Sequence, residues 1–536
     1  MKRGLLLTLV LLAAGVALLD AALGAGAHGD ARKGGVFRWS LPADVDYVDP
    51  ALAYNPRSWA IPFATCANLF NYPDRAGPES TRIVPEVVDD WNLSRDGRTY
   101  TFELKTSFRF HTGAPVIARS FADAINRLAQ PRLQSRGREY VRDIVGGGAV
   151  LDGRAETIIG VRVLDRYRLQ IRLTRPVGDF TARLTMPFFC PVLPNTPVDP
   201  SGIDNPAGSG PYYVAERVVN QRIVLKRNPY YRGNRPANVD EIVWTFGPPE
   251  PCIAALEEDR VDGCLLTVQT GPYNRTLAAK YGINRPDGQF FFKPFLATSF
   301  VGFNHARPWF KGPGQTPLEK AINYAIDRTE LARKSGFLAL KRTDQLLPPS
   351  LARPASLYPL NAAVAAARRW LARAKLRPKE LVLYAANRPQ AVAQAQVLDF
   401  NLRQIGIDLQ IKYFDADELN RRVDSPSEPY DLYLYAWGAD YTDPAGFLVP
   451  MLDPEGVAGL NLDDPLLARR LDAANRLRGD ARLAALRELE VELMRDTPPV
   501  AAFGHGTQTV LLSRSVGCIV FHPVYFGPNL AAVCKK

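Results

Sequence analysis

Apolar positions along the chain recur at two spacings, one typical of strands and one of helices. Residues 98–105 alternate polar and apolar side chains, which predicts a half-buried strand. Farther along, apolar residues three and four positions apart predict a helix that ends before Pro131. These residues are Phe121, Ala124, Ile125 and Leu128. Residues 158–174, rich in Ile, Val and Leu, predict a hairpin.

From Leu296 onward, the predicted strands and helices alternate. Strands are predicted at residues 299–304, 381–385, 408–413 and 431–436. Helices are predicted at residues 318–332, 362–374 and 391–404, and two amphipathic helices at 464–495. Such alternation is typical of an α/β domain with a largely parallel sheet, in which ligands bind beyond the carboxyl ends of the strands.

The length of the chain, 536 residues, exceeds the size at which a single hydrophobic core keeps growing. We therefore expect two or three packed units. Residues 186–211 are dense in Pro and Gly, as is typical of a boundary between units. No internal repeat of about 20–50 residues is visible, which argues against a solenoid or a propeller.

The first 27 residues have the pattern of a secretion signal. Lys2 and Arg3 give a basic start, residues 5–19 are apolar, and small residues at 25–27 suit a cleavage site. The alternative is an uncleaved membrane anchor. The apolar stretch ends at Asp20 and is shorter than the roughly 20 residues that a spanning helix needs. We therefore predict a signal peptide at residues 1–27 and an exported protein, periplasmic or extracellular.

The formal net charge of +11 raises the question of a nucleic-acid partner. The basic residues are scattered, however, and they form no block of five or more. Short pairs such as Arg368 and Arg369 fall in predicted helices and suit solvated faces. We therefore expect no nucleic-acid partner.

An even set of cysteines in an exported chain predicts disulfides. The six residues are Cys66, Cys190, Cys252, Cys264, Cys518 and Cys534. Proximity in the sequence favours Cys252–Cys264 and Cys518–Cys534, which leaves Cys66 with Cys190, although six cysteines allow about 15 connectivities. Metal binding is the alternative. It is disfavoured because the chain has no C-x-x-C motif and no histidine at ligand spacing.

Searches for catalytic and cofactor motifs find none. The chain lacks the P-loop, H-E-x-x-H and G-x-S-x-G patterns, and its five histidines are far apart. We therefore predict no catalytic residue, no metal site and no cofactor. A triad assembled only in space leaves a secreted hydrolase of peptides or glycans as the alternative function.

The segment 437–444 is the most informative chemically. It comes after a predicted buried strand and places Asp440 between Trp437 and Tyr441. A carboxylate flanked by aromatic rings can hold an ammonium group. The alternative is a turn that Asp440 caps, in which the aromatic rings only pack.

Several short motifs, taken in order, resemble family 5 of the extracellular solute-binding proteins, which includes oligopeptide-, dipeptide- and nickel-binding members. The motifs lie at residues 85–86, 94–102, 108–115, 208–212, 227–231, 303–304, 325–328 and 437–444. The resemblance that they support covers roughly residues 35–535. The pairs Cys66–Cys190 and Cys518–Cys534 also resemble those of actinobacterial-type members.

The resemblance implies an α/β, two-lobed periplasmic-binding-protein-like fold with an additional subdomain inserted in the first lobe. Lobe I is expected at residues 28–65, 205–290 and 511–536, the insertion at 66–204 and lobe II at 291–510. It also implies the substrate-binding component of an ABC importer, a monomer that captures peptides or peptide-like solutes for the permease subunits, and not an enzyme.

The resemblance further implies that Asp440 binds the amino terminus of the ligand. We place Trp437 and Tyr441 beside it, together with Tyr47 from the acidic loop 44–50 and Asn304. In one respect the chain departs from the family. Peptide binders often carry a basic residue on the strand before the acidic motif, but residues 430–436 contain none. The sequence thus assigns no partner to a free peptide carboxylate. Nickel-type binding is not supported, because no histidine cluster is visible.

Overall fold

The structure is a computed structural model that describes residues 32–266, 271–285, 288–452 and 459–536. The predicted signal peptide at residues 1–27 lies outside the described residues. Among the helices of the described ranges, none combines the length and the apolar character needed to cross a membrane.

Strands and helices are numbered separately in chain order. The strands are β1 (Val36–Leu41), β2 (Phe70–Asn71), β3 (Val84–Pro85), β4 (Val88–Leu93), β5 (Thr99–Leu104), β6 (Val161–Asp165), β7 (Arg168–Arg172), β8 (Tyr212–Val218), β9 (Arg222–Arg227), β10 (Glu241–Phe246), β11 (Gly263–Leu266), β12 (Phe290–Phe303), β13 (Leu340–Arg342), β14 (Glu380–Ala386), β15 (Asp408–Phe414), β16 (Leu432–Gly438), β17 (Val500–Leu512), β18 (Val516–Gly517) and β19 (Cys534–Lys535). The helices are α1 (Pro56–Thr65), α2 (Ala118–Ala129), α3 (Gly147–Leu151), α4 (Phe180–Arg183), α5 (Pro249–Glu257), α6 (Gly271–Tyr281), α7 (Thr316–Ala325), α8 (Arg328–Lys334), α9 (Val364–Leu371), α10 (Pro389–Arg403), α11 (Ala416–Val423), α12 (Ala445–Leu452), α13 (Pro465–Arg476) and α14 (Gly479–Asp496).

One mixed sheet of 11 strands runs through the molecule in the order β15-β14-β16-β12-β17-β11-β1-β10-β9-β8, with β13 paired to β17. β14 is parallel to β15 and β16, and β1 is parallel to β10 and β11. Between these two groups, β12 and β17 run antiparallel to each other and to their outer neighbours. The centre of the sheet therefore differs from the predicted, largely parallel arrangement.

The central strands β12 and β17, of 14 and 13 residues, are the longest in the sheet. Phe290 lies opposite Leu511 at one end of their ladder, and the register shifts just after Pro294. Proline has no N–H to donate to a ladder, which suits an irregular position. The predicted lobe boundaries, at residues 290 and 510, fall on these paired ends. The residue bounds of the two lobes and of the insertion stay a prediction.

Within the predicted insertion, β4, β5, β7 and β6 form a second sheet. In β5 the side chains of Tyr100, Phe102 and Leu104 are buried, and polar residues alternate with them. The strand predicted from this alternation is confirmed. The predicted helix is also confirmed: α2 ends at Ala129, and all four of its predicted apolar positions are buried.

The single helix predicted at residues 318–332 is wrong, because the structure has two helices there. α7 ends at Ala325, and Ile326 adopts an extended conformation. The side chain of Asp327 then accepts a hydrogen bond from the backbone N–H of Glu330, which caps the start of α8. Aspartate at this position satisfies a donor that the first turn leaves free, so a new helix begins within an unbroken apolar periodicity.

The structure contains all three predicted disulfides. Cys66–Cys190, Cys252–Cys264 and Cys518–Cys534 have Cα–Cα distances of 5.6, 6.1 and 5.4 Å. These distances lie within the range that disulfides adopt. The first bond joins the two ends of the predicted insertion.

Apolar packing on both faces fixes β16, the strand that leads to Asp440. Leu432 and Leu434 lie in one buried cluster with side chains of β12 and β14. Tyr433 and Trp437 belong to the larger cluster on the opposite face. Successive side chains of a strand point to opposite faces, so a strand buried on both sides reads as a continuous apolar run. The buried side chains of β16 therefore fix the strand that leads to the segment carrying Asp440.

Candidate functional site

A cavity of about 620 Å³ lies beyond the carboxyl ends of β1 and β16. The loop after β1, residues 133–136, α11 and the end of β16 form its wall. The aromatic and charged side chains of this wall include Tyr47, Tyr54, Arg136, Tyr435, Trp437 and Asp440. The cavity is thus lined by residues 46–56, 133–136 and 417–440 and by Pro200, which are remote from one another in sequence.

Asp440 is enclosed at one side of this cavity, and 9% of the residue is exposed. Its Oδ2 accepts hydrogen bonds from the hydroxyls of Tyr54, at 3.2 Å, and Tyr140. None of the described residues forms an ion pair with it. Burial raises the pKa of the Asp440 carboxyl to about 6, and the two tyrosine hydrogen bonds oppose this rise only in part. The carboxylate therefore lacks a cation that would stabilise its charge.

The structure also decides how the turn after β16 is held. Within the described residues, the Asp440 side chain makes no hydrogen bond to the backbone. The Asp443 side chain, in contrast, accepts one from the N–H of Ala445 at 2.9 Å. Asp443 thus caps the start of α12. Asp443, and not Asp440, therefore holds the turn, as the alternative interpretation had required of Asp440. The Asp440 carboxylate faces the cavity instead.

The two hydroxyl donors come from tyrosines that the sequence analysis missed. Burial and the nearby Asp440 raise the pKa values of Tyr54 and Tyr140 well above their usual range, so both hydroxyls remain protonated donors. Phe188 stacks on both rings, with centroid distances of 6.0 Å to Tyr54 and 6.2 Å to Tyr140. No local pattern marks these tyrosines, because they lie 386 and 300 positions from Asp440.

Asp46 fixes the loop that carries Tyr54. Its Oδ2 accepts hydrogen bonds from the N–H groups of Tyr54 and Asn55, at 3.0 and 2.9 Å. Its Oδ1 accepts from the N–H of Tyr47 at 2.8 Å and from the hydroxyl of Ser58. Both oxygens of Asp46 are thus used within the loop. Of the three acidic residues in loop 44–50, Asp46 positions the tyrosines, whereas Asp44 pairs with Arg217 and Asp49 with Arg127.

Trp437 and Tyr441, both predicted site residues, face different surroundings. Trp437 lines the cavity, and its Nε1 donates to the carbonyl of Gly446 at 3.0 Å, which holds the ring against α12. Tyr441 is buried behind the cavity wall, and its hydroxyl donates to Asp179 at 2.6 Å. Its ring meets the edge of Tyr140 at 6.3 Å, so it supports a residue that touches Asp440.

Tyr47 and Asn304, the other two predicted site residues, lie in different parts of the structure. Tyr47 lines the cavity, whereas Asn304 is fully buried outside it. The Asn304 amide donates to the carbonyl of Tyr430 at 2.9 Å, and its Oδ1 accepts from the N–H of Ala306. Because β12 and β16 are antiparallel, Asn304 lies beside the start of β16 and Asp440 beyond its end. The structure therefore brings Asp440, Trp437 and Tyr47 together but leaves Asn304 apart.

Behind Tyr441 lies a buried polar network. Asp179 also accepts from Arg183 at 3.1 Å, and Arg482 pairs with Asp443. Burial alone would raise the pKa of Asp179, but Arg183 and the Tyr441 hydroxyl outweigh it and lower the pKa to about 2. Unlike Asp440, this carboxylate has its cation within the protein. Asp440, by contrast, pairs with no cation among the described residues.

Metal chemistry finds no support among the described side chains. In residues 32–266, 271–285, 288–452 and 459–536, no three His, Cys, Asp or Glu side chains gather as a metal site. The cavity instead combines a buried carboxylate, hydroxyl donors and aromatic walls. This arrangement is suited to bind an organic cation.

A lobed α/β fold built on one continuous sheet, with a polar cavity beyond the carboxyl ends of its strands, is typical of solute-binding proteins. A family model described as bacterial extracellular solute-binding proteins, family 5 Middle, matches residues 82–459. The chain therefore belongs to family 5 of the bacterial extracellular solute-binding proteins. The function predicted from the sequence, the substrate-binding component of an ABC importer, is confirmed at this level, and nothing supports the secreted hydrolase.

Three known proteins illustrate the similarity. The nickel-binding periplasmic protein of Escherichia coli (strain K12) is 23% identical over 82% of this chain and 84% of its own. The periplasmic murein peptide-binding protein MppA of Escherichia coli (strain K12) is 26% identical over 69% of this chain and 70% of its own. The solved structure named clavulanic acid biosynthesis oligopeptide binding protein 2 superimposes with a TM-score of 0.83 at 24% identity, covering 94% of this chain and 96% of its own. The predicted two-lobed fold class is confirmed.

Proposed function

We propose that this protein is exported, binds a peptide or peptide-like solute in the cavity beside Asp440, and delivers it to the permease of an ABC importer. The observation that carries the proposal is the Asp440 carboxylate, which is enclosed, accepts two hydroxyl hydrogen bonds and pairs with no cation among the described residues. The ammonium group at the start of a peptide supplies the missing charge.

The size of the cavity fits this class of ligand. About 620 Å³ falls within the range of roughly 300–1,000 Å³ that small-molecule sites occupy. The aromatic side chains of its wall, Tyr47, Tyr54 and Trp437, can orient the main chain of a peptide without requiring one particular ligand side chain. Relatives named for murein peptides and oligopeptides support the same choice. A metal cargo has weaker support, since the described residues form no cluster of metal ligands.

The output of binding is a change of shape, and no chemistry is required. Asp440 comes after β16 of predicted lobe II, whereas Tyr54 and Tyr140 belong to predicted lobe I and the insertion. A ligand in the cavity contacts Tyr54 and Asp440, which belong to different predicted lobes, and stabilises the closed arrangement that a transporter recognises. We also propose a monomer, cleaved near Ala27, without catalytic activity.

The proposal is tested on the mature protein with a pool of random tripeptides. Retention of peptides by the protein, a higher melting temperature and a smaller radius of gyration in X-ray scattering are expected together, because binding to the folded state alone stabilises it. Mass spectrometry before and after incubation checks that the peptides are unchanged. Steady consumption of peptide by pure protein contradicts the proposal, as does the absence of retention from peptide pools of every length.

A further inference from the structure

The cavity holds one cationic side chain among its described lining residues, that of Arg136. Arg136 is exposed and belongs to the segment 134–137, between two short turns of helix in the predicted insertion. No ion pair or hydrogen bond joins it to any of the described residues. An arginine that lines a cavity without an anionic partner has all its donors available.

Arg136 and Asp440 approach the same aromatic ring from different sides. The guanidinium of Arg136 lies over the face of Tyr54, 5.8 Å from the ring centroid, which is within reach of a cation–π contact. The hydroxyl of the same ring donates to Asp440 Oδ2 at 3.2 Å. Tyr54 thus separates a cation from a carboxylate along one wall of the cavity.

The other charges near the cavity make Arg136 the favourable place for an anionic group among the described lining residues. Asp46 and Asp417 line the cavity as well, and both oxygens of Asp46 are used by its own loop. Asp424 lies close enough to Arg136 to interact electrostatically but forms no ion pair with it. A ligand carboxylate placed near Asp440 or Asp417 is repelled, whereas beside Arg136 it gains charge-assisted hydrogen bonds.

We propose that Arg136 binds the main-chain carboxylate of the ligand, so that the cavity selects short zwitterionic peptides, held by Asp440 at one end and Arg136 at the other. This inference rests on the proposed function. The ring of Tyr54 lies between Arg136 and Asp440, so the ligand has to extend along one tyrosine ring to reach both. Because an extended chain advances roughly 3.3–3.6 Å per residue, such a ligand has roughly two or three residues. The guanidinium comes from the predicted insertion, so the strand that leads to Asp440 needs no basic residue.

A competition experiment tests the assignment. The protein is incubated with equal amounts of two random tripeptide pools, one with free carboxyl termini and one with amidated termini, and the retained peptides are counted by mass spectrometry. We expect the free acids to be enriched about tenfold, the lower end of what charge-assisted hydrogen bonds give at an exposed side chain. The enrichment falls as the salt concentration rises from about 50 to about 500 mM, because the site is exposed to screening ions.

Two variants locate the effect. Arg136→Met is expected to abolish the preference for acids, and Arg136→Lys to keep part of it, since lysine keeps the charge but not the paired donors. Arg132→Met is the matched control, because Arg132 is also exposed and without a described ion pair but lines a different cavity. Thermal melts of all three variants establish that each is folded.

Each outcome of the competition experiment either supports or overturns the role of Arg136. Equal retention of acids and amides by the natural protein overturns the role of Arg136 but leaves the proposed function standing. A preference that survives Arg136→Met, or that Arg132→Met removes equally, also overturns it. Enrichment of Asp and Glu side chains among retained amides overturns the assignment to the main-chain terminus. If neither tripeptide pool is retained, this inference fails, and peptide pools of other lengths then decide the proposed function.

Discussion

The hydroxyl of Tyr140 donates a hydrogen bond to Oδ2 of Asp440 across 300 positions of sequence. Tyr54 donates to the same oxygen from a third region of the chain. The acidic residue is thus held by neutral donors and by no described cation. Its charge is therefore costly as long as no cation pairs with it, and this cost can be measured both in binding and in stability.

Replacing Asp440 by Asn is expected to weaken the binding of free-amine tripeptides by about 30-fold to several thousand-fold. The physical reason is that an enclosed ammonium left without its carboxylate keeps its desolvation cost, typically about 2–5 kcal/mol. Isothermal titration calorimetry measures the effect. N-acetylated tripeptides serve as the control, since they lack the ammonium and should bind both proteins equally weakly. Unchanged affinity in the folded variant refutes the role of Asp440.

The same substitution should stabilise the protein without ligand at pH 7. The folded pKa of Asp440, about 6, exceeds the value of 3.8 expected in the unfolded chain. The folded state therefore holds its proton more tightly, and its free energy of unfolding falls as the pH rises from about 4 to 6. Asn lacks this penalty, so Asp440→Asn should gain roughly 1–3 kcal/mol at pH 7 and almost nothing at pH 4. Denaturant melts at both pH values test this. A less stable variant at pH 7 would mean that the carboxylate supports the local fold.

Removing the hydroxyl of Tyr140 should shift the pH dependence of binding. Ammonium binding needs the ionised carboxylate, so the affinity for free-amine tripeptides is expected to fall as the pH drops below about 6. The Tyr140 hydrogen bond lowers the pKa of Asp440, so Tyr140→Phe should move this midpoint upward. Tyr441→Phe is the matched control, because its hydroxyl donates to Asp179. A midpoint that moves equally in both variants contradicts the prediction.

Loss of the Cys66–Cys190 bond should destabilise the protein more than loss of Cys252–Cys264. The two bonds span 124 and 12 positions. A longer closed loop removes more entropy from the unfolded chain, about 4–5 kcal/mol against about 3 kcal/mol in the loop-entropy model. Calorimetry of the two double-alanine variants measures the difference. Thiol titration of the denatured, unreduced natural protein should find essentially no free thiol, and two or more per chain would contradict the pairing.

Much of the fold was predictable because its signals are local. The alternation in β5 and the helical spacing in α2 reflect burial of one face, and both are confirmed. The break between α7 and α8 was missed, because the apolar spacing continues through it while one side chain, Asp327, caps a new helix. The antiparallel centre of the sheet depends on the pairing of β12 with β17, which no local pattern encodes.

The site divides in the same way. The apolar strand before Asp440 and Trp437 could be recognised in the sequence, whereas the binding role of Asp440 comes from the family resemblance and stays a prediction. The places of Tyr54, Tyr140 and Arg136 near Asp440 could not be predicted, since each residue lies in a segment whose position depends on tertiary packing. Asn304 follows a predicted strand, as Asp440 does, but it lies at the opposite end of β16. The reason is the antiparallel pairing of β12 with β16, which places Phe303, the residue before Asn304, beside Leu432.

The order of the cysteines has a consequence for biosynthesis. Each disulfide joins one cysteine to the next along the chain, first to second, third to fourth and fifth to sixth. When a chain crosses a membrane from its amino terminus, the first partner that each odd-numbered cysteine meets is its native one. A disulfide oxidant of the compartment, which is reduced as each bond forms, can then complete each bond before a competing cysteine emerges, and native pairing requires no isomerisation of wrong disulfides.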